Sequence, residues 1–390
     1  MRILQVIPYY APAWSFGGTV RVAYEISTRL AKKGHEVTVY TSDFLSPQSR
    51  VPISKGNEYE TIDGVKVFYF KNLSLLFYRL TRLSITPSLI RFARRDLSNY
   101  DIIHLHQYRS LQNVIILYFA KRKGIPCVIH PHGSLGRVVE KRTLKYLFDT
   151  FFGYNILQSV KKVFALTSSE AQECSTLGVN KDIIQVVPNG IDISVLNTKQ
   201  KSGLFKEKYG IENSEKMVLY LGRLHRSKGL DLLIDSFYKL SIRMDNVILT
   251  LIGPDDRYKV ELEKRIESYN LNNKVKILGY ISEEDKYAAL SDADVFVTPS
   301  FYGFPVTFIE SLACGTPIIT SNYGDYIDEI DGFAGIFTDY SATCFEKAMQ
   351  KILVDTKLRN QLGENGKTLV REHYNWDKIT EQLIEVYSSL

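Results

Sequence analysis

Leu221-Gly222-Arg223-Leu224-His225-Arg226-Ser227-Lys228-Gly229-Leu230-Asp231 places a strand end, a cationic loop and a helix start in one short stretch. The apolar run 217–221 that leads into it has strand length, and the residues beyond Gly229 carry helical spacing. A strand that passes through a short loop into a helix is the unit of a parallel sheet, since a parallel neighbour is reached only by a crossover. The same rhythm recurs outward from it. Apolar runs at 247–252, 275–278, 295–298, 317–320 and 335–337 predict further strands, with helices between them.

The first half follows the same pattern. Strand 3–7 runs into the loop Ser15-Phe16-Gly17-Gly18, then into a helix with Val20, Ala23, Leu30 and Ala31 at helical spacing and Gly34 at its end. Further strands are predicted at 36–40, 65–70, 102–105, 127–129, 162–166 and 184–187. At 390 residues the chain exceeds what one core usually serves. Two α/β domains are therefore expected, over 1–195 and 196–373, with the polar, lysine-rich stretch 197–203 as the linker. The closing helix carries Trp376, Ile379, Leu383 and Val386 on one side and needs a surface to bury them.

Composition bounds the class of protein. Hydrophobic residues make up 45% and charged residues 24%, an ordinary globular balance. Cys127, Cys174, Cys314 and Cys344 are scattered, with no C-x-x-C pair, which reads as a reduced interior and not a disulfide framework. The apolar run at the N-terminus is too short for a signal peptide, and no stretch has membrane-spanning length, so a cytoplasmic protein is expected. Residues 1–195 hold 25 Lys/Arg against 14 Asp/Glu, and residues 196–390 hold 24 against 29, so the first half is the basic one. Its sharpest portion is 64–95, where Lys66, Lys71, Arg79, Arg82, Arg91, Arg94 and Arg95 occur with no acid, interleaved with leucines and phenylalanines. That pattern suits an anionic lipid surface or an anionic lipid-linked acceptor, or else a solvated face over the core. No nucleic-acid-binding motif accompanies the charge, and nucleic acid is not expected as a partner.

Four constellations carry chemistry. Gly17 and Gly18 stand between a strand and a helix, where backbone amides approach a phosphate closely, or where a tight turn simply needs them. His130-Pro131-His132-Gly133 lies past a strand end, at the edge where open α/β sheets bind ligands, although a loop histidine bonded to backbone fits as well. Arg223 and Lys228 suit a diphosphate, the competing account being a structural ion pair. In Pro299-Ser300-Phe301-Tyr302-Gly303-Phe304-Pro305-Val306-Thr307-Phe308-Ile309-Glu310 a strand enters a glycine-containing loop and then a helix whose Glu310 can accept from ribose hydroxyls. Loop, cations and carboxylate together describe a nucleoside-diphosphate site with no acidic metal motif.

These residues resemble glycosyltransferase family 4 over essentially the whole chain, through Phe16-Gly17-Gly18, Lys33-Gly34-His35-Glu36-Val37, His132-Gly133, Pro188-Asn189-Gly190-Ile191-Asp192, Arg223 with Lys228, the block from Pro299, and Tyr374-Asn375-Trp376. The resemblance implies the GT-B fold, two Rossmann-like domains with parallel sheets facing across a cleft, the helix 374–390 completing the N-terminal domain. It also implies a retaining, metal-independent transferase of the hexosyltransferase type, with a nucleoside-diphosphate sugar as donor and a glycan or lipid-linked acceptor. The setting it suggests is cell-surface polysaccharide or glycolipid assembly, with peripheral association at the inner face of the cell membrane. Carried over by position, Gly17 and Gly18 lie beside the diphosphate, His132 near the transferred sugar, and Arg223 and Lys228 on the phosphates. Asn189 falls on the substrate, Phe304, Pro305 and Val306 on sugar and phosphate, and Glu310 on the ribose. Tyr302 departs from the family, standing where a first Glu usually binds donor-sugar hydroxyls. A sugar-nucleotide 2-epimerase of the same architecture and a catalytically silent nucleotide-sugar-binding partner protein are the alternatives.

Overall fold

The computed structural model describes residues 1–52, 59–81, 83–136, 142–193, 203–301, 304–322 and 329–390. Two compact units form, Met1–Asn189 with Trp376–Leu390, and Gly190–Asn375. The stretch expected as linker, 197–203, lies outside the described residues except for Gly203.

The first unit is built on β1 (Arg2–Val6), β2 (Glu36–Ser42), β3 (Glu60–Ile62), β4 (Val65–Phe70), β5 (Ile102–His106), β6 (Cys127–His130), β7 (Lys162–Ala165) and β8 (Ile184–Val186). They form one sheet in the order β3-β4-β2-β1-β5-β6-β7-β8. Every pairing is parallel except β3 with β4, an antiparallel edge that the sequence pattern does not anticipate. The inner strands are buried on both faces, which is why they read as continuous apolar runs.

The helix Trp376–Ser388 packs into this unit. Its Trp376, Ile379, Leu383 and Tyr387 join the core formed by Ile3, Ile26, Leu30 and Val39. Arg29 bonds Asp377 at 2.8 Å and Lys33 bonds Glu381 at 2.7 Å along the seam with the helix Gly18–Lys32. Burying four large side chains is worth on the order of 6–12 kcal/mol as an upper estimate, so the apolar stripe and not the exposed ion pairs holds the helix down.

The second unit contains β9 (Lys216–Leu221), β10 (Val247–Ile252), β11 (Val275–Ile277), β12 (Val295–Thr298), β13 (Ile318–Ser321) and β14 (Gly335–Thr338). Their order is β11-β10-β9-β12-β13-β14, parallel throughout. Val218, Tyr220, Leu249, Leu251, Val295 and Val297 fill its core from the sheet, and Leu233, Phe237 and Phe345 from the covering helices.

Strand order reverses direction at one point in each sheet. Chain connections leave β1 toward β2 on one side and reach β5 on the other; in the second unit they leave β9 toward β10 and return to β12. Loops at the carboxyl ends of such a strand pair diverge and leave a crevice, the usual ligand position in open α/β sheets.

Candidate active site

In the second unit the crevice lies past Leu221 of β9 and Thr298 of β12, and the two cationic and glycine-containing motifs supply its loops. Gly253 comes so close that a Cβ there would meet the Gly222 carbonyl oxygen, which holds the β9 and β10 ends together. Gly229 adopts φ +68°, the left-handed region, and a Cβ on it would lie 3.0 Å from Pro299 and 2.6 Å from the Tyr340 hydroxyl. The Lys228 loop is therefore seated directly against the start of the second motif. Past that motif the helix Val306–Cys314 begins, with Pro305 as the extended residue before it. Its first amides have no partner inside the helix and point out of its start. Phe304 is buried and packs on Tyr374 at 5.0 Å, which fixes the approach to that helix.

Arg223 is exposed and bonds Asp256 at 2.8 Å, so the ion-pair reading of this residue is realised. Both side chains are open to water, and a pair of that kind is weak enough to be exchanged for a ligand. Lys228 differs. Its ammonium is half-buried and has no ion pair among the described residues, and burial first, then the nearby Arg223 charge, lowers its pKa. A desolvated cation beside another cation is a site that an anion stabilises. Glu310 sits in the second turn of its helix, buried, with Oε1 accepting from Lys286 Nζ at 2.7 Å. Oε2 has no hydrogen bond among the described residues, leaving acceptor capacity for a hydroxyl. Tyr302 and Gly303 lie outside the described residues.

In the first unit the crevice lies past Val6 and His106. Phe16 stacks on Tyr9 at 3.9 Å and anchors the loop before Gly17. Gly17 takes φ +95°, which demands glycine, and nothing stands within 4 Å of a Cβ built on Gly17 or Gly18. The backbone is thus open to a ligand at the start of the helix Gly18–Lys32, as a phosphate contact requires. Asn189 is buried at the end of this unit's main segment.

His132 occupies the loop after β6, at φ +56°. Around it stands a stack of histidines from neighbouring strands. His104 and His106 share one face of β5, β6 places His130 opposite His106, and the rings of His130 and His132 stack at 4.3 Å. His106 Nδ1 meets His132 Nε2 at 2.8 Å, and His106 Nε2 meets Gln5 Oε1 at 2.6 Å. Burial first, then the neighbouring imidazoles, lowers the pKa of His104, His106 and His132 well below the ordinary histidine value. Burial likewise pushes His130 down to about 3, against its bond to the Val187 carbonyl. All four are neutral at physiological pH.

The loop is clamped from both sides. Glu170 accepts from the Gly133 amide at 2.6 Å and from the Leu166 amide at 2.7 Å. Arg109 makes a bidentate pair with buried Asp149, at 2.8 Å on each side, and donates to the carbonyls of Ser134 and Leu135. Gln5, His106, Glu170 and Arg109 are the supporting residues that sequence reasoning does not single out. His104 lies in the strand predicted at 102–105 and His106 one residue past it; two histidines two apart share a face if the strand runs on, and that was the one available signal.

The basic segment 64–95 comprises β4 and the helices Leu75–Thr81 and Ser88–Asp96. Lys66, Lys71, Arg91 and Arg94 are exposed and have no ion pair among the described residues, while Arg95 bonds Asp96. The side chain of Arg79 and all of Arg82 lie outside the described residues. Leu73, Leu76, Phe77 and Ile90 are exposed beside them. Among the described residues no helix is long and apolar enough to cross a membrane.

Comparison with known proteins gives two adjoining family matches, Glycosyltransferase Family 4 over residues 16–195 and Glycosyl transferases group 1 over residues 202–369. The chain is 26% identical to N-acetyl-alpha-D-glucosaminyl L-malate synthase of Bacillus anthracis, over 96% of this chain and 94% of that protein. It is 24% identical to phosphatidyl-myo-inositol mannosyltransferase of Mycobacterium tuberculosis, over 100% of this chain and 97% of that one. Among solved structures, Anabaena HepE in complex with UDP-glucose superposes with a TM-score of 0.76 at 19% identity, covering 100% of both chains.

Proposed function

This chain belongs to the GT-B glycosyltransferases of family 4, and we propose that it transfers a hexosyl group from a nucleoside-diphosphate sugar to a glycan or lipid-linked acceptor, with retention of anomeric configuration. The observation that carries the donor reading is Lys228: a half-buried ammonium with no ion pair among the described residues, beside Arg223, seated against Pro299 near a helix start, at the β9/β12 reversal of strand order. Those groups suit a diphosphate, and Glu310 suits the ribose. HepE, which was solved with UDP-glucose bound, supports the class of donor.

In the proposed reaction the bond between the anomeric carbon and the diphosphate oxygen breaks as charge grows on the diphosphate. Arg223, Lys228 and the amides at Val306 offset that charge, and no divalent cation is invoked. The acceptor hydroxyl attacks from the face that the diphosphate leaves, its proton passing to a phosphate oxygen as the new glycosidic bond forms. His132 orients the transferred sugar, and the protein's contribution is positioning and electrostatics. The exposed bases and apolar side chains of 64–95 suit an anionic membrane surface or a lipid-linked acceptor at it. The relatives' names, a phosphatidylinositol mannosyltransferase among them, are in keeping with a glycolipid acceptor.

The test is thermal unfolding of the chain with UDP-, GDP- and ADP-sugars in excess chelator. A donor at a hundred times its Kd should stabilise by about 2.7 kcal/mol. Proton NMR of the transfer product then reads its anomeric configuration. Stabilisation that requires added magnesium or manganese would refute metal independence, and interconversion of donor isomers without acceptor would make the chain an epimerase.

A further inference from the structure

We infer that Gln5 and His106 are positioning residues that hold His132 in one neutral tautomer, protonated on Nε2, so that its free Nδ1 receives a hydrogen bond from a substrate hydroxyl. The identity of that hydroxyl rests on the function proposed above; the proton arrangement does not.

The arrangement follows from what each atom can do. Gln5 lies on β1, wholly buried, and its amide oxygen can only accept a hydrogen bond. His106 Nε2, 2.6 Å away, must therefore carry a proton. Burial keeps His106 neutral, so its Nδ1 holds a lone pair. That lone pair faces His132 Nε2 at 2.8 Å, and the bond forms only if His132 Nε2 carries the proton. His132 is neutral as well, which leaves Nδ1 bare, and Nδ1 has no hydrogen bond among the described residues.

Three features keep the chain rigid. β1 and β5 are adjacent parallel strands, so Gln5 and His106 are fixed by the sheet. The His106 ring is stacked on His104 at 4.2 Å and lies within 5° of parallel to His132. The turn carrying His132 is tied to Glu170 through the Gly133 amide. A histidine so fixed accepts from a hydroxyl and cannot donate to a developing oxyanion. It therefore selects for a sugar that presents a hydroxyl at that position.

The direct test is long-range proton–nitrogen correlation NMR on the full chain with 15N-labelled histidine. Seven histidines give seven patterns, and His132 is assigned by the signals lost in His132→Gln. His132 and His106 should both show protonated Nε2 and unprotonated Nδ1 without any ligand. Gln5→Met keeps volume and removes the acceptor, and should leave His132 a mixture of both tautomers. In that variant kcat should fall in proportion to the surviving Nε2–H population, with KM for the donor unchanged within about twofold. His106→Phe, which keeps the stack and deletes both nitrogens, should release the same lock if Gln5→Met does not fold. A wild-type His132 protonated on Nδ1, the result of the opposite Gln5 amide orientation, would overturn the inference. So would a His132 tautomer unchanged in these variants. A locked His132 in a chain that binds no nucleotide sugar would refute the donor reading and leave the lock standing.

Discussion

Acid should unfold the first unit well before ordinary surface titration explains it, because its core holds neutral imidazoles. His104, His106 and His130 are at most 1% exposed. Burial depresses their pKa values, His130 to about 3, whereas in the unfolded chain each titrates near ~6.5. The unfolded state thus binds more protons below that value, and stability rises with pH. The contribution is fully present above ~6.5 and is lost progressively as pH falls toward about 3. Each proton of difference is worth about 1.4 kcal/mol per pH unit, so His130 alone removes about 2 kcal/mol between pH 7 and 5, and His104 and His106 add to the loss in the same direction. Even that one ring is a sizeable part of the stability of a typical domain, roughly 5–15 kcal/mol. Asp101, also in this unit, is held below the usual carboxylate range by Arg2, so it stays charged in both states between pH 7 and 5. Both tryptophans, Trp14 and Trp376, belong to the first unit, so urea titrations followed by tryptophan fluorescence report it selectively. His130→Phe should flatten the pH slope by up to about 1.4 kcal/mol per pH unit, and His104→Phe should flatten it in the same direction. A urea midpoint that stays constant from pH 7 to 5, or variant slopes equal to wild type, would refute the reasoning.

The donor and membrane readings give further expectations. Arg223→Ala and Lys228→Ala should each lower kcat by on the order of a hundredfold, more than they weaken ground-state donor binding, as loss of one preorganised electrostatic partner does. Arg223→Lys should restore little, since one ammonium cannot reproduce a guanidinium fork; near wild-type turnover in both alanine variants would remove the phosphate assignment. Anionic vesicles should cosediment with the chain at low salt and lose it at high salt, each base near the surface contributing about 1 kcal/mol. Replacing Lys66, Lys71, Arg91 and Arg94 by glutamine should abolish that binding, and equal sedimentation with neutral vesicles would dismiss the surface.

Much of the fold was legible because buried parallel strands announce themselves. Strands expected at 65–70, 247–252 and 295–298 end where β4, β10 and β12 do, since each is a largely apolar run rich in β-branched or aromatic residues and bounded by polar residues, glycine or proline. β3 was illegible for the opposite reason. Glu60-Thr61-Ile62 is part-exposed on an edge and is a strand only because β4 offers it hydrogen bonds. Pairing across the chain is a tertiary fact that three residues cannot encode. The destination of the Trp376–Ser388 stripe was of the same kind: spacing shows that a face must be buried, and only the contacts with Leu30 and Ile3 show where.

The site divides along a similar line. Residues whose chemistry is local could be found: the cations of 223–228 stand in one loop, and the Gly17 backbone requirement is a property of one φ angle. Gly17 and Lys228 also fall on the two reversals of strand order, though sheet order itself was not visible in the sequence. What could not be found are partnerships between strands. Gln5 and His106 are about a hundred residues apart, and His132 is a further strand away, so no spacing rule joins them. Taken singly, Gln5 is a polar residue inside an apolar strand, which costs free energy unless its amide is bonded. Here the oxygen is bonded and the nitrogen has no hydrogen bond among the described residues, so the cost is only half offset; what the oxygen supplies in the inferred lock is a proton fixed on His106, and through it the face that His132 presents to the crevice.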